Sequence, residues 1–150
     1  MENYSVKSKF LFLDVDGVLN SQDYIVKHRT ERYPIDPKKV YLVNDIQRRT
    51  GCKIIITSLW RYSEKALDAL WKKNVIYDGI TPYGSMSGFR GQEIIYYCNR
   101  VSNQIDKIAI LDDDSDFYED QKKNLFKTSS EEGLTKEIAE KVIAYLGEIK

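Results

Sequence analysis

Residues Phe10 to Val15 read FLFLDV and run straight into Asp16-Gly17. Such a short, almost unbroken apolar run suits a strand buried on both faces. Lys53 to Thr57 (KIIIT) and Lys107 to Leu111 (KIAIL) repeat the pattern. Helical signals fill the intervals. Asp36 followed by Pro37 has the form of an N-cap and first helical residue. Val40, Val43 and Ile46 then recur at helical spacing, and Gly51 fits a stop. Ser63 opens a second helix, with Ala66, Leu67, Leu70 and Trp71 expected inward. Residues 91–101 form a third. Leu134 to Leu146 form a fourth, with Ile138, Val142, Ile143 and Leu146 inward. Val75–Tyr77 and Leu125–Thr128 read as minor strands. Residues 20–36 lack a period and read as an excursion loop, and the glycine-rich stretch 78–91 reads as another. Strand–helix alternation with unalternating strands predicts a parallel sheet covered on both sides, an α/β three-layer sandwich.

The chain has 150 residues, the size of one domain. Its 23 basic and 23 acidic residues cancel, so any nucleic-acid contact must be local rather than a wholesale basic surface. No apolar run is long enough to span a membrane, and Met1 to Lys9 lacks a signal-peptide stretch, so a cytoplasmic location is expected. Cys52 and Cys98 lie far apart and read as buried free thiols. A single histidine, His28, argues against a histidine metal cluster or a Ser-His triad. Neither GxxxxGK[ST] nor GxGxxG occurs, which removes P-loop and dinucleotide-binding chemistry.

In parallel sheets ligands bind at the carboxyl ends of strands. The first strand ends in Asp14, Val15, Asp16 and Gly17, the second in Thr57 and Ser58, and the KIAIL strand in Asp112, Asp113 and Asp114. No Lys or Arg interrupts these motifs. Carboxylates gathered at one edge repel, and a divalent cation is their natural compensation. All-oxygen ligands suit Mg²⁺. Asp14 and Asp16 point the same way along an extended chain. One carboxylate can attack phosphorus while the other manages the leaving-group proton.

DVDGVLN (Asp14–Asn20), the IIIT ending at Thr57 and ILDD (Ile110–Asp113) together resemble the haloacid dehalogenase (HAD) superfamily of phosphatases. The resemblance implies a Rossmann-like parallel sheet with minimal or no cap. It also implies that Asp14 is the nucleophile and Asp16 the general acid/base. Thr57, or its neighbour Ser58, would bind the transferring phosphoryl group. Arg90 would neutralise its charge, with Lys107 the weaker alternative. Asp112 and Asp113 would hold Mg²⁺ together with Asp14 and Asp16, and Asp116 could assist. Trp60-Arg61, RGQEI (Arg90–Ile94), LDDD and GLT (Gly133–Thr135) narrow the resemblance to compact HAD domains found in RNA-repair proteins and in stand-alone bacterial and phage proteins.

Without room for a large cap, an open site favours a phosphorylated end of RNA or DNA, or a phosphoprotein, over an enclosed metabolite. Two other classes compete with a phosphatase. One is a signalling receiver domain, whose acceptor Asp would follow a middle strand where this chain has Thr57. The other is a catalytically silent HAD module that binds a phosphorylated partner, against which the intact Asp14/Asp16 pair argues. Arg61 is a candidate contact to a substrate phosphate, whereas Trp60 is expected to pack in the core. In the excursion loop Tyr24, Lys27, His28, Arg29, Arg32 and Tyr33 interleave basic and aromatic residues. They read either as a grip on phosphates and bases or as a solvated loop.

Overall fold

The computed structural model describes residues 6–82 and 89–150. Five strands form one sheet: β1 (Ser8–Leu13), β2 (Lys53–Ile56), β3 (Gly79–Ile80), β4 (Ile105–Asp112) and β5 (Leu125–Lys127). Their spatial order is β3-β2-β1-β4-β5, and every pairing is parallel. Among the described residues five α-helices accompany them: α1 (Gln22–Lys27), α2 (Pro37–Thr50), α3 (Glu64–Lys72), α4 (Arg90–Arg100) and α5 (Lys136–Leu146).

The strands are apolar throughout because both faces are covered. Leu11, Leu13, Ile54, Ile56, Ala109 and Leu111 face one layer, built by α2, α3 and α5 through Val43, Ile46, Leu70, Val142 and Ile143. Phe10, Phe12, Ile55 and Ile110 face the other, where Ile94 of α4 and Phe117 meet them. This is the α/β/α sandwich of a Rossmann-like fold. Asp36 caps α2 by accepting from Lys38 N, and Gly51 ends it at φ 71°. Ser63 caps α3 and Thr135 caps α5. Among the described residues, no helix is long and apolar enough to cross a membrane.

Four local expectations need correction. The excursion loop contains the short helix α1, because Ser21 accepts from Tyr24 N and nucleates a turn. The third strand lies at Gly79–Ile80 rather than Val75–Tyr77. Asn74 takes a left-handed φ of 70°, Val75 then plugs the core, and sheet pairing waits until Asp78 N reaches Ile54 O. Trp71 is half-exposed rather than inward, its ring edge-on to Tyr77 with 5.4 Å between centroids. Cys52 is buried and free as expected, while Cys98 is only partly buried. The loop expected at 78–91 falls partly on residues 83–88, outside the described residues.

Candidate active site

The strand order reverses between β1 and β4, since chain connections lead away from β1 to β2 and β3 on one side and to β4 and β5 on the other. Such a switch point leaves a crevice at the carboxyl ends of the strands. The ladder extends past the strands into this crevice: Asp14 N donates to Leu111 O at 3.0 Å and Thr57 N to Leu13 O at 2.9 Å. The backbone therefore fixes Asp14, Thr57 and Asp112 side by side on one edge.

Asp14 and Asp112 are buried. Carboxylate oxygens of Asp14, Asp112 and Asp113 all lie within 4.8 Å of one another. Arg90, the first residue of α4, places Nη1 2.8 Å from Asp14 Oδ2 and 2.6 Å from Asp112 Oδ2. Burial pushes the Asp14 carboxyl well above its ordinary value, and the neighbouring Asp112 pushes it further, with Arg90 opposing both. Burial raises Asp112 in the same way, against Arg90. For Arg90, burial disfavours the charge, but Asp14 and Asp112 more than offset that and hold the guanidinium protonated. One cation thus faces three carboxyls. A hard divalent cation fits what remains of the negative charge, and every donor offered is the oxygen such an ion prefers.

Asp16 stands apart from this cluster and is exposed. Its Oδ1 accepts from Asn20 Nδ2 at 3.0 Å and its Oδ2 from Trp60 Nε1 at 3.1 Å. Gly17 follows at φ 82°, and a Cβ there would land on Asp113 Oδ2. Glycine is thus required twice over, by conformation and by the approach of Asp113. Thr128 ties the acidic segments together: its N–H donates to Asp112 O at 3.0 Å and its hydroxyl to Gly17 O at 2.6 Å.

The two hydroxyls after β2 differ in what they do. Ser58 Oγ accepts from Trp60 N at 3.1 Å and caps a 3₁₀ turn at Leu59–Tyr62. Thr57 Oγ1 is buried without a hydrogen-bond partner. A buried hydroxyl in that condition is costly unless something fills it. It stands at the strand end next to Asp14.

Arg61 corrects the sequence reading. It is buried and cannot reach a substrate phosphate. Its Nη1 donates to Thr57 O at 2.8 Å and Ser58 O at 2.9 Å, its Nε to Thr81 O at 3.1 Å, and its Nη2 pairs with Glu93 of α4. Arg61 therefore joins the Thr57 turn to the helix that carries Arg90. Asp116 supports the same helix: its Oδ2 accepts from Arg90 N at 3.2 Å and its carbonyl from Gly91 N at 3.1 Å. Lys107 lies elsewhere, donating to Tyr145 O.

Trp60, expected in the core, only partly packs there and turns its N–H to Asp16. The sequence shows only that the Trp60 N–H needs a partner; that the partner is Asp16 is set by the fold. In the excursion segment, Tyr24 stacks on His28 with centroids 3.8 Å apart, Arg32 lies over the Tyr33 ring at 5.6 Å, and Arg29 is exposed. These contacts are local and do not join the carboxylates. Tyr33 alone of this group is carried to the rim, edge-on to Trp60 at 5.3 Å.

Residues 10–139 match the family described as the HAD domain in Swiss Army Knife RNA repair proteins. No curated protein and no solved structure matches the chain. The match spans nearly every strand and helix that shapes the crevice, and the all-parallel sheet agrees with it. This chain belongs to the HAD superfamily, within the family of compact HAD domains described from Swiss Army Knife RNA repair proteins.

Proposed function

We propose that this chain is a Mg²⁺-dependent phosphomonoester hydrolase that works through an aspartyl-phosphate on Asp14 and acts on phosphorylated ends of nucleic acid. The observation that carries the reading is the setting of Asp14: beside Arg90, among Asp112 and Asp113, next to a buried Thr57 hydroxyl that lacks a partner. Non-bridging phosphoryl oxygens are acceptors of the kind that hydroxyl and that guanidinium can serve.

Asp14, Asp112 and Asp113 would hold the Mg²⁺, which when bound offsets carboxylate repulsion and withdraws charge from the phosphoryl oxygens. A carboxylate oxygen of Asp14 attacks phosphorus as the ester P–O bond breaks. Asp16 gives a proton to the departing oxygen, which leaves as an alcohol. Thr57 and Arg90 hold the non-bridging oxygens while charge shifts among them, where fixed donors contribute most. In the second half Asp16 takes a proton from water. The water oxygen bonds to phosphorus, phosphate departs, and Asp14 is regenerated.

The substrate class rests on the family's association with RNA repair and on the exposure of Asp16, which leaves the leaving group's side open to a long chain. The test is phosphate release with and without Mg²⁺ by wild type and Asp14→Asn. The panel holds an aryl phosphate, 3′- and 5′-phosphorylated RNA and DNA oligomers, nucleotides and a phosphopeptide. Release that needs both Mg²⁺ and Asp14, fastest on an oligomer, is expected. Equal release by Asp14→Asn would sink the mechanism. A phosphopeptide as best substrate would overturn the substrate class.

A further inference from the structure

We propose that Trp60 is a positioning residue for Asp16: its indole N–H sets the carboxyl that exchanges a proton with the leaving group. The proposal rests on the phosphohydrolase reading above and adds to it a residue outside the acidic motifs.

The argument starts from what holds Asp16. Its neighbours Asp14 and Gly17 are locked by the sheet ladder and by Thr128, but the Asp16 side chain itself is exposed. An exposed carboxylate samples several rotamers unless it is tethered. Two tethers exist. Asn20 is built into its own loop, since its Oδ1 accepts from Gly17 N at 3.0 Å and its Nδ2 also donates to Pro34 O at 2.9 Å. That tether comes from the same turn as Asp16 itself. Trp60 is the tether from elsewhere, 44 positions along the chain, on the 3₁₀ turn that follows Thr57. Its backbone N–H is held by Ser58 Oγ, and its ring meets Tyr33 at a centroid distance of 5.3 Å and 60° between planes. The indole is therefore fixed independently of Asp16 and can act as a reference point for it. A carboxylate has about four lone-pair sites, so one N–H on each oxygen still leaves sites for the transferred proton.

The geometry has a further consequence. A group that gives a proton to the leaving oxygen must touch it. Trp60, in contact with that group, then lies beside the leaving group's place in the crevice.

Leaving-group dependence tests the idea. A nitro-substituted phenolate departs with little need of a proton, whereas an alkoxide requires one. Trp60→Phe keeps an aromatic ring against Tyr33 and removes the N–H. The expected result is a fall of roughly 10- to 100-fold in kcat/KM, which reports only the transfer to Asp14 and not the later hydrolysis common to all substrates, on an alkyl phosphate or a phosphorylated oligomer. On the nitroaryl phosphate the fall is expected to be much smaller, so the ratio of the two rates widens. A parallel fall on both substrates, or no fall on either, overturns the proposal. If Trp60→Phe fails to fold, benzothienylalanine at position 60 gives the same test, because sulfur replaces the N–H in an isosteric ring. If wild type releases no phosphate from any substrate, the phosphohydrolase reading fails first, and a widened ratio cannot be mistaken for that outcome.

Discussion

Helix α4 carries two charged residues one turn apart, and they sit in two unlike arginine–carboxylate systems. Glu93 pairs with Arg61, and the remaining Arg61 donors are spent on Thr57 O, Ser58 O, Thr81 O and the Tyr62 hydroxyl. Arg90 bridges Asp14 and Asp112, with Asp113 close by and the Thr57 hydroxyl without a partner. The first system is fully buried, and the second is buried at Asp14 and Asp112 and partly buried at Arg90 and Asp113. One is closed, with each donor facing a protein acceptor. The other is open, with more negative charge than its arginine offsets and hydrogen-bonding capacity unspent. Buried charge alone does not mark a functional site; capacity left over for a ligand does.

The largest effect should come from breaking the closed system. Glu93→Ala leaves Arg61 as an uncompensated buried cation and should cost about 3–5 kcal/mol of stability, read by denaturant unfolding. The double variant Arg61→Met/Glu93→Leu should recover most of that loss, because paired apolar groups replace a paired charge. Without such recovery, the pair does more than balance its own charge.

The open system should respond in the opposite way. Arg90→Gln is expected to lower kcat by about 100- to 1,000-fold, the usual scale for one preorganised donor, with a smaller loss of stability than Glu93→Ala, because the carboxyls it leaves are already raised by burial and can take up protons. A melting shift as large as that of Glu93→Ala would erase the distinction between the two sites.

A smaller effect sharpens the contrast within β2's terminus. Thr57→Val removes a hydroxyl that has no protein partner, so stability should hold or rise slightly while phosphate release falls by about tenfold or more. Ser58→Ala removes the cap of the 3₁₀ turn and should cost about 1 kcal/mol. Equal effects of the two on activity would leave Thr57 without a separate role.

The smallest expected effect is a slope. Burial, then Asp112, raises the Asp14 carboxyl above its ordinary 3.8 in the folded chain. The native state therefore holds a proton that the unfolded chain has lost as pH rises above that value. Stability is full at low pH and declines as pH climbs through the raised range. Metal-free protein should thus lose stability from about pH 4 toward neutrality, and Asp14→Asn, which stays neutral, should flatten the decline. Added Mg²⁺ should oppose it, since binding favours the charged carboxylates. Thermal melts across pH, with and without the metal, would check all three.

The contrast between the two systems also shows what a linear reading can reach. The acids at Asp14, Asp112 and Asp113 are legible because each follows an apolar run that can only be a buried parallel strand, and such strands end on the binding edge. Arg90 is legible only through the family resemblance, since the sequence pattern opens the helical stretch at residue 91 and the structure starts it at Arg90. Arg61 is not: a charged residue next to a hydroxyl motif looks like a ligand contact, and nothing local reveals that Glu93 and three carbonyls await it. Trp60 is misread for the same reason, since its hydrogen-bond partner lies 44 positions away. The third strand is missed because two residues of pairing, Gly79 and Ile80, leave almost no pattern.

Local patterning therefore determined every strand but the two-residue third, the caps of helices α2, α3 and α5, and the carboxylates at the sheet edge, because apolar runs, capping residues and their neighbours are contiguous in the chain. Only the tertiary structure decided which arginine is spent inside the protein and which faces the crevice, which of two adjacent hydroxyls lacks a partner, and what holds Asp16. Each of those depends on groups from different strands and turns meeting at one point, and that meeting is set by sheet order and helix packing.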